Sequence, residues 1–322
     1  SPSMRSRWPA PSAWSEPSVT STSSMAASGG DSSEAVDVVR PGGSVVVETP
    51  ASSANLGPGF DSIGMALGIW DRCTATVLAE PGLVIEVEGE GADTVPRDDS
   101  HLLYRTMLRT WEHLGVAPPA GLQLACVNEI PHGRGMGSSA TAIVTGIVAA
   151  QALCGEGDGF GRFDLAMTND LAARLEGHPD NASASVFGGA TVSWSDDPNG
   201  GTTTVSLTIH PDVVPVVFAP HEQLSTAKAR SVLPVHVRLA DAAANSGRAA
   251  LFVHALGQAP EHLLAATRDW LHQEPRRPSY PGSMALVDHL RAAGHAAVIS
   301  GAGPSVLALV TRAGVEAATA LA

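Results

Sequence analysis

Apolar and polar residues alternate along several short stretches of the chain, which is the pattern of a half-buried β-strand. The alternation is clear over residues 121–130, where Leu122, Leu124 and Cys126 occupy every second position. Runs of β-branched residues favour strands elsewhere. Further strands are predicted over residues 44–49, 70–79, 83–88, 205–209 and 213–219, after the glycines at 188 and 189, and on both sides of a glycine turn within 296–310.

Longer apolar stretches between these strands predict helices. Residues 140–154 are apolar on nearly every side and predict a buried helix. A turn over residues 96–100 supplies the start of a helix over 101–114. Other helices are predicted over residues 163–175, 241–256, 261–269 and 282–293 and from residue 224 onwards. This alternation indicates a mixed fold class, and composition alone does not choose among such folds.

The first 43 residues differ from the rest of the chain. They are rich in Ser, Pro, Ala and Gly, show no sustained period, and are predicted to be disordered. They also lack the long apolar segment of a secretory signal peptide. The remaining chain is predicted to form two domains, 44–201 and 202–322, because the pattern of elements changes near residue 202.

Charge and cysteine content limit the classes of partner. The 322-residue chain has a net charge of −13, which argues against nucleic acid or an anionic membrane as its partner. Its three cysteines include no C-x-x-C pair, as is usual in a reducing cytosol. The longest apolar run is shorter than the roughly 20 residues that span a bilayer. We therefore expect a cytoplasmic protein that does not insert into membranes.

A glycine-rich loop between a predicted strand and a predicted helix is the strongest chemical signal. Its alternate glycines, followed by two serines at the helix start, predict backbone N–H groups that bind a polyphosphate. A tightly packed turn without a ligand is the alternative. A P-loop is excluded because no Lys precedes Ser138, and the even glycine spacing does not fit a dinucleotide fingerprint. The predicted anion-binding residues are Pro131, His132, Gly133, Arg134, Gly135, Met136, Gly137, Ser138, Ser139, Ala140 and Thr141.

Two other loops carry side chains that could recognise a ligand. Residues 50–64 are dense in Gly and small polar residues and include Asn55 and Asp61. Residues 176–181 combine a carboxylate, an imidazole and an amide within a short stretch. The alternatives are a β-turn with Asn and Asp in Asx roles for the first loop, and a solvated loop for the second.

Four separated stretches together resemble the homoserine kinases, a family of the GHMP kinase superfamily. They are S-A-N-L-G-P-G-F-D at 53–61, the glycine loop, E-G-H-P-D-N at 176–181 and S-G-A-G-P at 300–304. They occur in the family's order and spacing, and the resemblance covers the chain from about residue 44. It implies an α+β, two-domain GHMP kinase fold. The N-terminal domain would be like domain 2 of ribosomal protein S5 and the C-terminal domain ferredoxin-like.

The resemblance also implies an activity. It is ATP-dependent phosphorylation of the side-chain hydroxyl of L-homoserine to O-phospho-L-homoserine, a step of threonine biosynthesis. The substrates would be ATP and L-homoserine, and Mg²⁺ would be the metal. A homodimer is a possible oligomeric state. The alternatives are a GHMP-type kinase for another small alcohol, or a non-catalytic homologue that binds a nucleotide or an amino acid.

Site roles follow from the resemblance and from the charges of homoserine. Asp61 would bind the ammonium group with Asn55 beside it, and Arg230 and Arg276 would bind the carboxylate as planar forks. The family has Tyr before the second arginine where this chain has Pro275, so the choice between Arg276 and Arg277 stays open. The group around the acceptor hydroxyl would be His178, Asp180 and Asn181, with Gly303 closing the pocket.

One position departs from the family pattern and affects the metal site. The Glu expected two positions before Glu176 as the Mg²⁺ ligand is Arg174 here, which leaves Ser138, Ser139 and Glu176 as candidate ligands. We expect Arg174 to pair with Asp170 at i, i+4 and to point at the phosphates of ATP. Glu176 would lie about 200° around the helix from it. On that expectation Mg²⁺ would be held weakly and turnover would be low.

Overall fold

A seven-stranded sheet and a three-stranded sheet organise the part of the chain that the computed structural model describes, residues 18–21, 39, 42–154, 164–196 and 200–322. The larger sheet has the order β1-β2-β3-β5-β4, with β6 paired to β3 and β7 paired to β6. Its pairs are antiparallel except β4 with β5. The strands of this sheet are β1 (Ser18–Ser21), β2 (Ser44–Ala54), β3 (Ile63–Val77), β4 (Gly82–Gly89), β5 (Gly121–Asn128), β6 (Ala190–Trp194) and β7 (Thr203–Leu207).

The second sheet is antiparallel, with the order β8-β10-β9. Its strands are β8 (Val213–Phe218), β9 (Ala296–Ile299) and β10 (Val306–Thr311). The division into domains at residue 201 stays a prediction. The first sheet nevertheless continues past that residue, because β7 pairs with β6 along its whole length. The change from one sheet to the other therefore lies in residues 208–212.

The seven-stranded sheet and the helices packed on it form the larger of two units, and the three-stranded sheet with its helices forms the smaller. One helix runs through the centre of the larger unit. The predicted buried helix begins at Ser138, packs on β2 and on three other helices, and has buried residues on all its faces. The helices are α1 (Leu102–Leu114), α2 (Ser138–Cys154), α3 (Leu165–Glu176), α4 (Pro179–Phe187), α5 (Thr226–Ser231), α6 (Leu239–Gly257), α7 (Leu263–Ala266), α8 (Gln273–Arg276), α9 (Pro281–Ala292) and α10 (Val315–Ala320). No helix in the described ranges is both long and apolar enough to cross a bilayer.

The polar stretch 176–181 is a junction between two helices and not a solvated loop. Gly177 ends α3 with a left-handed φ of 89°, a conformation that glycine adopts without strain. Pro179 then begins α4, where its fixed φ suits the first helical turn and its missing N–H is not needed. The sequence pattern did not show α4, because its residues are small and polar rather than periodic. This junction holds three predicted site residues at the start of a buried helix.

The two units share apolar packing. A cluster of buried side chains includes Met65 of β3, Phe252 and Leu256 of α6, and Val298 of β9. Because this cluster draws on both sheets, burial of its apolar surface favours a fixed relation between the units. A site formed between them is therefore held from both sides.

Part of the N-terminal stretch that was predicted to be disordered is ordered. β1 pairs with β2, from Ser18 opposite Glu48 to Ser21 opposite Val45. Val39 is buried in the core of the larger unit. The prediction of disorder over 1–43 is therefore wrong for these residues, since an edge strand needs only a partner strand and not a period of its own. Residues 1–17, 22–38 and 40–41 lie outside the described residues.

We expect a chain that begins at Arg40 to fold but to be less stable than the full chain. Removing the buried Val39 side chain should lower the free energy of unfolding by about 2 kcal/mol, with loss of β1 adding to this. Urea unfolding of the two proteins measures the difference. Val39→Ala in the full chain isolates the contribution of the side chain. Equal urea midpoints for all three proteins would show that this packing does not stabilise the fold.

Candidate active site

The separated polar stretches meet in one cavity of about 260 Å³ between the two units. Its walls come from the loop after β2, the glycine loop, the α3–α4 junction, α5, α8 and the turn between β9 and β10. The predicted residues that line it are Asn55, Asp61, Gly133, Gly135, Met136, Gly137, Ser138, Ser139, Glu176, His178, Asp180, Asn181, Arg230 and Arg276.

The carbonyl groups of the glycine loop are hydrogen-bonded to neighbouring residues, so the groups that the loop offers to a ligand are its N–H groups. Gly133, Gly135 and Gly137 have φ values of 65°, 73° and 72°, which form a concave backbone that suits an anion. The carbonyl groups of residues 133–136 accept hydrogen bonds from neighbouring segments, and the donors are Leu224 N, Ser305 N, Ser300 Oγ and Ser52 N. The N–H groups at the start of α2 are then the donors left for a ligand.

Gly135 is the loop position where a side chain fits least. A Cβ there would overlap the carbonyl oxygen of Ser300 and lie 2.9 Å from the nitrogen of Gly303. At Gly133 the nearest atom would be the Cβ of Gln223, at 3.4 Å. The loop therefore touches the β9–β10 turn directly at Gly135 and leaves room at Gly133.

We expect Gly135→Ala to destabilise the protein far more than Gly133→Ala. Both changes place Ala at positive φ, which costs about 1–2 kcal/mol. Only Gly135→Ala adds the overlap with Ser300, which should bring the total loss to more than about 3 kcal/mol. Chemical unfolding of the pair measures this difference. Similar losses for both variants would mean that the loop moves away from the β9–β10 turn at little cost.

Asp61 and Arg230 form a two-point ion pair across the cavity. Arg230 donates to the Asp61 carboxylate over 3.0 and 2.6 Å, and this bond raises the pKa of the guanidinium. Both side chains are about one third exposed, so the pair can open towards a ligand. Asn55 supports the pair from behind. Its side-chain oxygen accepts the N–H of Asp61 and its amide donates to the carbonyl of Gly301.

Arg276 is buried at the cavity without a carboxylate partner among the described residues. Its Nε donates to the carbonyl of Ala229, and burial lowers its pKa. Burial also lowers the pKa of His272, which favours a neutral ring. That ring donates from Nε2 to the carbonyl of Gly57 and accepts from Arg276 at Nδ1, over 2.8 and 3.0 Å. His272 thus positions the guanidinium, a role that the sequence pattern did not show.

Arg276 and Arg277, between which the sequence leaves the choice open, have different surroundings. Arg277 is partly exposed and forms 2.7 Å ion pairs with both Glu274 and Asp288 on the outer surface. These carboxylates raise its pKa. Arg276 instead lines the cavity and lies over the ring of Phe60. These surroundings favour Arg276 over Arg277 as the candidate for binding an anion in the cavity.

The α3–α4 junction brings His178, Asp180 and Asn181 to the cavity together. Nδ1 of His178 lies 2.8 Å from the Asp180 carboxylate. Burial acts to lower the pKa of His178, but its bond to Asp180 and the charges of Asp180 and Glu176 raise it overall. Asn181 donates from its amide to Ser52, and its backbone N–H donates to Asp180. This arrangement leaves Nε2 of His178 as the ring atom available to a ligand.

Glu176, and not Arg174, faces the glycine loop. The Ser139 hydroxyl donates to the Glu176 carboxylate over 2.8 Å, and burial raises the pKa of that carboxyl. Arg174 pairs with Asp170 at 2.7 Å, as predicted, but it is half exposed and does not line the cavity. The expectation that Arg174 points at the phosphates is therefore wrong. The two residues lie on opposite sides of α3, and the helix is oriented so that the Glu176 carboxylate faces the cavity.

Some predicted residues lie near the cavity without lining it. Ala140 is buried in the core, and the Thr141 hydroxyl is bonded to the carbonyl of Pro50. Gly303 packs against Gly135 and the ring of Tyr280, while its neighbours Gly301 and Ala302 form the cavity wall. Gly303 therefore closes the pocket only from behind. The remaining predicted residues outside the wall are Pro131, His132 and Arg134.

A second cavity of about 250 Å³ adjoins the first and was not predicted from the sequence. Ser138 and Ser139 line both cavities. Its other walls are largely apolar, with Val95, Pro96 and Leu103 among them, and it also contains His132. The Nδ1 atom of His101 is buried there and has no hydrogen-bond partner within the described part of the chain. Its walls come from segments far apart in sequence. The turn predicted over residues 96–100 was the one part of this cavity that the sequence indicated.

Comparison with known proteins identifies the family. Residues 101–189 match the GHMP kinases N terminal domain, and residues 247–321 match the GHMP kinases C terminal domain. A homoserine kinase of Streptomyces avermitilis is 50% identical over 278 residues, which is 86% of this chain and 89% of that protein. The chain belongs to the homoserine kinase family of GHMP kinases. This membership confirms the predicted α+β fold with its two GHMP kinase domains.

Other relatives agree with this assignment. A homoserine kinase of Streptomyces coelicolor is 51% identical over 82% of this chain and 84% of its own length. The crystal structure of a homoserine kinase from Cytophaga hutchinsonii superposes with a TM-score of 0.75 at 27% identity, covering 86% of this chain and 88% of that one. An L. major mevalonate kinase shares the fold alone, with a TM-score of 0.60 at 16% identity over 85% of this chain and 90% of that one.

Proposed function

We propose that this protein transfers the γ-phosphoryl group of ATP to the side-chain hydroxyl of L-homoserine, giving O-phospho-L-homoserine for threonine biosynthesis. The observation that carries this proposal is the pairing of two binding chemistries in one cavity. One wall offers backbone donors for phosphates, and the other offers Asp61, Arg230 and Arg276 for a zwitterion. A small amino alcohol held by these groups would present its hydroxyl to the glycine loop. The family assignment supports the same reaction.

ATP would occupy both cavities. Its phosphates would bind the N–H groups of the glycine loop, with Ser138 and Ser139 at the boundary between the cavities. The apolar walls of the second cavity suit a flat base, and the unpartnered Nδ1 of His101 is a polar atom that can bind its edge. On this proposal, the second cavity lies beside the glycine loop because it binds the base of the same nucleotide.

L-Homoserine would bind in the first cavity by exchange of an existing ion pair. Its carboxylate would take the fork of Arg276 and one side of Arg230, while its ammonium group would take Asp61. The Asp61–Arg230 ion pair thus opens when homoserine binds, and each of its two side chains then pairs with a charged group of the substrate. A substrate with only one charge would leave one of these two residues unpaired, and this penalty favours an amino acid.

The hydroxyl would lie near His178 and Asn181, with Asp180 fixing the histidine through Nδ1. As the hydroxyl oxygen bonds to the γ-phosphorus, the bond to the β–γ bridging oxygen breaks and ADP leaves, while the hydroxyl proton passes to an oxygen of the transferred phosphoryl group and from there to solvent. Phosphoryl transfer depends mainly on alignment and charge, so no strong general base is required. His178, whose pKa is raised, acts here as a hydrogen-bonding group that orients the hydroxyl.

The donor set fits Mg²⁺. Within the described ranges, no cluster of three or more His, Cys, Asp or Glu side chains could hold a metal. In kinases, however, Mg²⁺ is held by one or two protein oxygens together with phosphates and waters. Glu176 and Ser139 supply such oxygens beside the glycine loop, with Ser138 next to them. When bound, Mg²⁺ offsets phosphate charge.

We expect Arg230→Ala to lower kcat/KM for homoserine by about 30- to 1000-fold, because it removes a charge-assisted contact worth on the order of 2–4 kcal/mol. The KM for ATP should stay unchanged, since Arg230 is across the cavity from the glycine loop. Lys228→Ala, on the same short helix and exposed, is the control. A wild-type kcat/KM in the Arg230 variant would remove this residue from the substrate site.

An ADP-release assay over a panel of alcohols tests the function as a whole. Homoserine should be used far better than 3-aminopropan-1-ol, which lacks the carboxylate, or 4-hydroxybutyrate, which lacks the ammonium group. Preferential use of another alcohol would favour a different GHMP-type kinase. ATP binding without ADP release for any alcohol would favour the non-catalytic homologue. The inward orientation of Glu176 removes the argument that Arg174 gave for that alternative.

A further inference from the structure

Two cysteine side chains face each other on neighbouring strands at the wall of the second cavity. Cys73 of β3 and Cys126 of β5 are partners in the register of the sheet, and their sulfur atoms lie 3.7 Å apart. Both thiols are buried, yet both line the cavity. The phosphoryl transfer proposed above uses neither of them.

We propose that Cys73 and Cys126 form an oxidation site, in which hydrogen peroxide converts the two thiols into a reversible cross-strand disulfide. Two features support this step. The thiols already touch, so only side-chain rotation and a small shift of the strands separate them from bonding distance. The cavity also provides a path for a small oxidant to otherwise buried sulfur atoms.

The spacing of the strands indicates that the disulfide can be reduced again. Residues directly opposite each other in an antiparallel pair have Cβ atoms about 4.5–5.5 Å apart, whereas a relaxed disulfide needs about 3.5–4.5 Å. The bond would therefore pull the two strands together, and disulfides formed under such constraint are the more easily reduced ones. A thiol reductant should restore both cysteines.

The chemistry balances with hydrogen peroxide as the oxidant. The thiolate of Cys126 attacks one peroxide oxygen, which gives a sulfenic acid and a hydroxide that becomes water. The sulfur of Cys73 then attacks the sulfenic sulfur, forms the S–S bond and releases a second water. The two thiols lose two electrons and the peroxide becomes two waters. The hydrogen bond between the two thiols lowers the pKa of Cys126 and raises that of Cys73, so Cys126 is the first to react.

The chain contains an internal reference for this reaction. Cys154 is also buried, but it lies at the far end of α2, about 24 Å along the helix from Ser138 at the cavity. It is therefore a buried thiol that lines neither of the two cavities. Its rate of oxidation is the reference for a buried thiol away from the cavities.

The test treats the full chain with hydrogen peroxide at neutral pH, without nucleotide, followed by alkylation, digestion and mass spectrometry. We expect a peptide pair linked through Cys73 and Cys126, loss of two alkylatable thiols, and full recovery with dithiothreitol. The pair should react about tenfold faster than Cys154. Cys73→Ser should abolish the linked peptides and leave a sulfenic acid on Cys126 that dimedone traps. The matched control Cys154→Ser should still form the disulfide.

The unaltered chain decides the proposal even where a variant fails to fold. Absence of the linked peptides at a peroxide dose that oxidises Cys154 would overturn it. A second arm adds ATP before the peroxide and rests on the proposed function. ATP should slow disulfide formation about tenfold by filling the cavity. Equal rates with and without ATP would count against ATP in this cavity, while the linked peptides would still establish the dithiol site.

Discussion

Replacing Glu176 by Gln is expected to lower kcat at least about a hundredfold and to raise the Mg²⁺ concentration that gives half the maximal rate. Gln keeps the size of the side chain and can still accept the hydrogen bond from Ser139, so the fold should not change. What it removes is the negative charge that α3 directs towards the glycine loop. The measurement is a Mg²⁺ titration of kcat at saturating ATP and homoserine.

Arg174→Ala is the matched control on the same helix. Arg174 is half exposed and paired with Asp170 on the outer side, so its removal should leave kcat within about twofold and stability within about 1 kcal/mol. A Mg²⁺ dependence that shifts in the Arg174 variant and stays unchanged in the Glu176 variant would show that the two faces of α3 are assigned the wrong way round.

The pH dependence of the wild type adds a second readout for Glu176. Burial raises the pKa of this carboxyl above its ordinary value, and the nearby charge of Asp180 acts in the same direction. As the pH falls, the Glu176 carboxyl therefore becomes protonated at a higher pH than an exposed Glu would. Binding of Mg²⁺ should weaken over that range, because only the ionised form is a ligand. The Gln variant should lack this acid-side loss.

The sequence was most informative where chemistry depends on backbone conformation. The alternate glycines at 133–137 predicted an anion-binding loop, and all three have the positive φ that this requires. The residue types at Asp61 and Arg230 likewise predicted an acidic and a basic group at one site. Resemblance then supplied the fold, which the alternation of elements alone had left open. Backbone-determined features are local, and local sequence is sufficient to predict them.

The sequence was least informative about which way side chains face. Whether Arg174 or Glu176 faces the cavity depends on the rotation of α3 about its axis. That rotation is set by the contacts of α3 with α2 and α4. Asn55 resembled a ligand-binding side chain, yet both of its polar atoms hold the loop that carries Asp61. The second cavity has walls from segments far apart in sequence. These features arise from tertiary packing, which no single stretch of sequence encodes.

Replacing Arg276 by Lys should lower kcat/KM for homoserine by roughly 100- to 1000-fold while leaving the KM for ATP within about threefold. Lys keeps a positive charge but cannot form the planar fork that binds both carboxylate oxygens. It also loses the contacts through which Ala229 and His272 fix the guanidinium. Burial would further lower the pKa of the new amine and favour its neutral form.

Discrimination between two substrates separates this effect from a general loss of structure. The unaltered protein should strongly prefer homoserine to 3-aminopropan-1-ol, which differs only by lacking the carboxylate. If Arg276 binds that carboxylate, the Lys variant should lose most of the preference while using the smaller alcohol about as well as before. Arg277→Lys is the control, because Arg277 is the next residue and its guanidinium is paired with Glu274 and Asp288 away from the cavity. A preference for homoserine that survives in the Arg276 variant would show that Arg230 alone recognises the carboxylate, and Arg276 would then have only a structural role at the cavity.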